Sequence, residues 1–286
     1  MLYIITVLMI LSLSLLLNYK FNVKLNYSFL IISLFFAIIL YLFGLFKGLE
    51  IGVYFILIIG LISFIYLLFM LIKKKIKIRD IFNLPTFIFL IISFILYILL
   101  LNTHYSNWDE FAHWGPNLKA MLEYDTFWAN QEWNGTHIAY PPLIGLFEYL
   151  FCKINGGFNE GISYFAINIM ILSALMIFIK DKKITFINVI KIFFLFFIIY
   201  TLMLSFKFYL TSIYIDFILG VMFFVSLYLG VKDDKNFSDK LLLIMLLFSL
   251  PLIKDAGLVL AGIILLEIFI KEILLKIIIE KKISKN

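Results

Sequence analysis

Charge is scarce in this chain. Of its 286 residues 15% are charged and 64% hydrophobic, whereas a soluble globular domain carries about 25% charged residues. Mean hydropathy is +1.09, and the composition is that of an integral membrane protein. Cysteine is nearly absent. Cys152 stands alone, which rules out an intramolecular disulfide and a cysteine-cluster metal site. Arginine occurs once, at Arg79, and proline five times. No soluble domain, low-complexity linker or convincing internal repeat interrupts the apolar runs. The first run, 2–17, has no basic residue before it and no small-residue cleavage pattern after it. It reads as a spanning helix, not a removed leader. The net charge of +6 does not point to nucleic acid, because the basic residues sit in short runs between apolar segments, where they set topology.

What is present is a series of apolar runs of spanning length, near 2–17, 27–46, 51–72, 83–101, 161–179, 187–205 and 211–231. An eighth, 241–270, is interrupted by Pro251, Lys254, Asp255 and Gly257. Backbone groups in lipid must be satisfied within their own segment, so all of these are predicted as helices. The fold class is therefore all-α and polytopic, with about 8–10 helices. Residues 1–82 form N-terminal transmembrane helices, and 83–286 form a transmembrane core with an outer loop at 102–160.

Orientation follows from the lysines. The cluster Lys73, Lys74, Lys75, Lys77 and Arg79 is assigned to the cytoplasm of a plasma-membrane protein. Helix 83–101 then runs outward and 102–140 emerges on the far side. Lys180, Lys182 and Lys183 must return inside, so one crossing fits between 140 and 180. The apolar piece 142–152 is too short for it by the roughly 20-residue requirement. It is predicted as a juxtamembrane or re-entrant helix. Lys20/Lys24 and Lys232/Lys235/Lys240 then fall inside as well.

The loop 102–140 is unlike the rest. It holds all four tryptophans, Trp108, Trp114, Trp128 and Trp133, and all three histidines, His104, His113 and His137. It carries five acids, Asp109, Glu110, Glu123, Asp125 and Glu132, against one base, Lys119. Tryptophan at a membrane surface is common, but that alone does not collect every histidine in one place. If 107–122 is helical, Asp109 and His113 share a face and Glu110 borders it. Trp108 and Lys119 would border the same patch. A carboxylate beside an imidazole, walled by tryptophan, suits a general base. The same pair suits a ligand set for a divalent cation, and it equally suits a histidine that only orients the acid. The metal and cofactor assignment therefore stays open. Tyr140-Pro141-Pro142-Leu143 follows, a rigid helix start. Beyond the loop, Asp216 lies at the outer end of a helix, and Lys254 and Asp255 lie within an apolar stretch. Charges there are costly and mark function, unless Lys254–Asp255 is a plain outer turn.

In order, these pieces resemble the GT-C superfamily of membrane glycosyltransferases, which includes protein mannosyltransferases and lipid A aminoarabinose transferases. The resemblance covers 106–270. It rests on Trp108-Asp109-Glu110 with His113-Trp114, Tyr140-Pro141-Pro142-Leu143, Gly157-Phe158-Asn159-Glu160, Tyr214-Ile215-Asp216 and Ile253-Lys254-Asp255-Ala256-Gly257. It implies a GT-C-like core and transfer of a sugar from a polyprenyl-phosphate-linked donor to an acceptor hydroxyl on the outer face. The acceptor would be an envelope glycan, lipid or protein. An outer-loop carboxylate would be the base, Asp109 or else Glu110, with His113 orienting it or helping to hold a cation. Trp108, Trp114, Lys119, Tyr140, Asp216, Lys254 and Asp255 would line the substrate site, with Lys254 on the carrier phosphate. The chain departs from the pattern in two ways: three helices precede the core, and the usual arginine partner for phosphate is missing. Two other classes compete. One is a transporter or flippase for lipid-linked sugars, which would need polar groups along a path through the helices. The other is a non-catalytic subunit of an envelope assembly.

Overall fold

The computed structural model describes residues 2–130, 137, 139–179, 184–205 and 210–271. Glu132, Trp133, Lys207 and the Lys180–Lys183 cluster lie outside them. The structure is 80% helical, and no strand occurs among the described residues. The helices are α1 (Ile4–Phe21), α2 (Leu25–Leu45), α3 (Leu49–Ile72), the single turn α4 (Ile78–Ile81) and α5 (Leu84–Leu100). They continue with α6 (Gly115–Tyr124), α7 (Leu143–Ile154), α8 (Glu160–Leu175, extended by a 3-10 turn to Phe178) and α9 (Phe186–Ser205). The last are α10 (Ile215–Val231), α11 (Phe237–Ile253) and α12 (Ala256–Phe269).

Among the described residues four helices are long and apolar enough to cross a membrane: α1, α2, α3 and α8 with its extension. This makes the chain a membrane protein by length and composition. Helices α5, α10 and α12 are as apolar but shorter. Caps fix several starts. Asn83 accepts from Thr86 N with Pro85 in the first turn, Asn159 accepts from Ile162 N, and Asn236 forms a reciprocal capping box with Asp239. Each satisfies donors that a helix start leaves unpaired.

The hydrophobic core runs through the bundle from Tyr3 to Ile264. Helix α2 packs against α1, α3, α7, α8 and α11, so the N-terminal segment shares the core of the rest. In lipid, helices gain little from apolar burial and use close approach and hydroxyl pairs instead. The serines Ser12 and Ser63 meet at 2.7 Å between α1 and α3, and Ser33 and Ser173 at 3.0 Å between α2 and α8.

The two ends of the bundle differ in charge. At one end the α1–α2 turn meets the start of α11, where buried Asp239 pairs with Lys232 at 2.6 Å and Lys24 at 3.8 Å. Lys271 and Asp233 join there, and Lys20 lies over Tyr66 of α3. The other end gathers the turns after α2, α5 and α11 together with the described residues of 102–160. There Leu49 N donates to Asp125 O, and Lys153 binds Asp125 at 2.7 Å and Glu50 at 3.4 Å. Among the described residues, Lys20, Lys24, Lys232 and Lys271 lie at the first end. Both ends of α7 lie at the second, acidic end: Lys153 closes it there, and Tyr140, just before it, lies under Lys254. With 12 residues and a length of about 18 Å, α7 does not cross. It is buried in the end of the bundle between α2, α6 and α8 rather than lying on its surface, and Leu143, Phe147, Tyr149 and Phe151 are enclosed.

Candidate active site at the acidic end

The loop after α5 enters a helix with a wide π turn over Glu110–Trp114, continuing into α6. Gly115-Pro116 explains the wide turn. Proline supplies no N–H for the α-helical bond and crowds the preceding turn. A Cβ on Gly115 would meet Glu110 O and the Tyr105 ring at 2.6 Å, so only glycine fits under that ring. The expected uniform helix over 107–122 is therefore interrupted where the acids lie, and π turns often sit at functional sites.

The turn separates the two adjacent acids. Glu110 is fully buried. Its Oε2 accepts from Ser106 N at 2.9 Å, Asn107 N at 2.8 Å and the Tyr164 hydroxyl at 2.9 Å. Its Oε1 accepts from Ile213 N at 3.3 Å. Four donors hold this carboxylate, three on Oε2 and one on Oε1, and tie the loop to α8 and to the segment before α10. Asp109 is half-exposed, and its Oδ1 stands 3.8 Å from His113 Nε2.

From this pair a closed circuit of contacts runs around the site. The His113 ring meets His137 edge-to-face at 4.3 Å. His137 stacks on Tyr140 at 4.7 Å, and Trp114 stacks on Tyr140 at 5.7 Å. Lys254 lies 5.8 Å above the Tyr140 ring and binds Asp216 at 2.6 Å. Two residues before Asp216, the Tyr214 hydroxyl reaches the Asp109 backbone. Burial first, then the charges of Asp109 and Glu110, hold the Tyr214 hydroxyl above its ordinary range. Tyr140 and its neighbours are set by the Pro141-Pro142 start of α7. Lys254 is set by the extended residue that ends α11 before α12 doubles back. A Cβ on Gly257 would fall 1.8 Å from Leu250 O, so this reversal requires glycine.

The predicted site residues thus divide. Asp109, His113, Trp114, Tyr140, Asp216 and Lys254 come together. Glu110 lies beneath them as an anchor. Trp108 is exposed, and Asp255 is exposed at the start of α12. Lys119 lies elsewhere, 4.6 Å over the Phe158 ring. Among the described residues no group of three His, Cys, Asp or Glu side chains converges as a metal site.

Several neighbours were not singled out from sequence. Glu148 of α7 is buried and accepts from the Ser163 hydroxyl, which accepts from Tyr105 at 2.9 Å. Burial, opposed by the Ser163 bond and aided by Glu110, pushes the Glu148 carboxyl up to about 8. Burial and the nearby Glu148 raise the Tyr105 hydroxyl far above its usual range. The signal was there: Glu148 is the one acid within the apolar run 142–152. A second missed group is the clamp of Asp125, Lys153, Glu50 and Tyr149, whose hydroxyl lies 2.5 Å from Asp125. Burial lowers the Lys153 ammonium, but Asp125 and Glu50 outweigh it and hold it above its ordinary value. Compared with known proteins, the chain matches no family model, no curated protein and no solved structure.

Proposed function

We propose that this protein is a membrane glycosyltransferase that moves a sugar from a polyprenyl-phosphate-linked donor to an acceptor hydroxyl on the outer face of the plasma membrane. The observation that carries the reading is the circuit at the acidic end, which joins a half-exposed carboxylate to a lysine through stacked rings. Asp109 is the base: its carboxylate takes the acceptor proton as the acceptor oxygen forms a bond to the anomeric carbon. The bond from that carbon to the donor phosphate oxygen breaks, and polyprenyl phosphate leaves with the electron pair. An acceptor hydroxyl is a poor nucleophile, and a carboxylate in reach contributes about 10²–10⁴-fold. Lys254 offsets the charge that builds on the phosphate, supplying the cation that arginine would otherwise give. His113 orients Asp109, and Trp114 with Tyr140 forms an apolar wall for the sugar. Glu110 holds the loop, since its carboxylate is fully buried and bound by four donors of the protein itself.

The test is transfer from a radiolabelled polyprenyl-phosphate sugar by membranes carrying Asp109→Asn. Transfer falls by about 10²–10⁴-fold while insertion and expression stay normal. Near-normal turnover in Asp109→Asn would refute the assignment.

A further inference from the structure

Beside the circuit, and separate from it, a surface cavity of about 300 Å³ opens between the end of α5 and the start of α8. Asn102 and His104 line one side, and Phe158, Asn159 and Glu160 the other. That volume is at the small end of ligand sites, enough for a single sugar ring and part of a neighbour. We propose that it is a saccharide subsite that binds the hydroxyl-rich face of a glycan.

The side chains are held in place by their own networks, and each leaves a polar atom to offer. Glu160 Oε2 accepts from Tyr105 N at 3.0 Å and lies 3.0 Å from His104 Nδ1. Its Oε1 bonds to no described residue. The His104 ring is 85% exposed, so Nε2 stays open to a ligand. Asn159 spends Oδ1 on Ile162 N at 3.0 Å and keeps its amide donors. Asn102 is exposed with both functions of its amide open. The wall therefore mixes acceptors and donors. A sugar hydroxyl both donates and accepts, so vicinal hydroxyls suit such a mixture. An anion would want donors alone, and here a carboxylate stands among them. Leu101, Thr103 and the Phe158 ring complete the wall; Tyr105 meets that ring edge-to-face at 5.9 Å and Lys119 lies 4.6 Å over it, and an aromatic wall suits the apolar C–H face of a pyranose.

The site also lies close to the proposed chemistry. The Tyr164 hydroxyl bonds to Glu110 and reaches His104 O at 3.4 Å, so one tyrosine separates the cavity from the anchor beneath Asp109. Binding of saccharide stands by itself. Only its use as an acceptor hold, which selects a glycan over a lipid or protein acceptor, rests on the transferase reading.

The experiment is saturation-transfer NMR on the full chain in lipid nanodiscs free of glycoside detergent, with chitobiose, maltose and lactose as probes. At least one disaccharide binds, and Asn102→Ala and Glu160→Gln each weaken it by about tenfold. Asn102 sits in an exposed loop, so its variant folds, and glutamine keeps an oxygen for Tyr105 N. Glu123→Gln, an exposed acid outside the cavity, leaves binding unchanged. The proposal is overturned if no probe binds, if binding survives both cavity variants, or if inorganic phosphate competes for the cavity. Saccharide binding beside full transfer by Asp109→Asn would keep the subsite and sink the catalytic assignment. The reverse pattern would do the opposite.

Discussion

Replacing Glu148 by glutamine gives the sharpest physical test of the buried network beneath the site. Glu148 is 4% exposed, and its carboxyl sits at about 8 in the fold against 4.5 free. Facing it are Ser163, Tyr105, Cys152 and, through its charge, Glu110. The folded chain keeps a proton that the unfolded chain releases. Stability therefore falls as pH rises from about 4.5, and the loss is complete just above 8. The gap between the two values corresponds to about 5 kcal/mol, which for a chain of this size moves a thermal midpoint by about 10–20 °C. Glutamine has the shape of the neutral acid and still accepts from Ser163, so it removes the titration without emptying the site. The assay is the thermal midpoint of detergent-solubilised protein at pH 5 and pH 9. At pH 5 variant and wild type lie within about 1 kcal/mol of each other. At pH 9 the variant is the more stable, by most of the 10–20 °C. Two profiles that run parallel from pH 5 to pH 9 would refute the reasoning, because Glu148 would then be titrating as an ordinary carboxylate.

Two further outcomes check the site and its orientation. Lys254→Met weakens binding of a polyprenyl-phosphate sugar far more than binding of the acceptor, and Lys254→Arg retains part of it; Asp216→Asn, which frees the ammonium from its 2.6 Å partner, tightens donor binding. Unchanged donor affinity in Lys254→Met, measured by equilibrium binding of labelled donor, would remove lysine from the phosphate. In a Cys152→Ala background, Glu123→Cys reacts with an impermeant maleimide applied outside intact cells and Asp234→Cys does not; the opposite pattern would invert the topology.

Much of the architecture was legible because the membrane leaves few options. Apolar runs must be helices, and the observed bounds of α2, α3, α5, α8 and α10 fall within a few residues of the runs that announced them. The short run before Cys152 was legible as non-crossing from its length alone. That it would sit inside the bundle was not, because its burial is decided by packing against α2, about a hundred residues earlier, as well as against α6 and α8. Lys254 was legible as a costly charge in an apolar stretch. Its actual partner, Asp216, is 38 positions away on the neighbouring helix, and no local spacing reveals a pairing made by helix packing.

The adjacent pair Asp109–Glu110 carries the same lesson to the chemistry. In sequence Asp109 was the chosen base with Glu110 as the alternative, since either borders His113 on a helix. Neighbours on a helix point about 100° apart, so one must face the bundle if the other faces out. Which one faces in depends on who supplies donors. Tyr164 comes from near the start of α8 and Ile213 N from the approach to α10, and both reach Glu110. The π turn forced by Gly115-Pro116 adds the remaining rotation and brings Asp109 and His113 onto one line along the turn. A buried carboxylate held by four donors is costly to move. Glu110 therefore acts as the fixed point from which the loop is hung, and the carboxylate left with a histidine and an open side is Asp109.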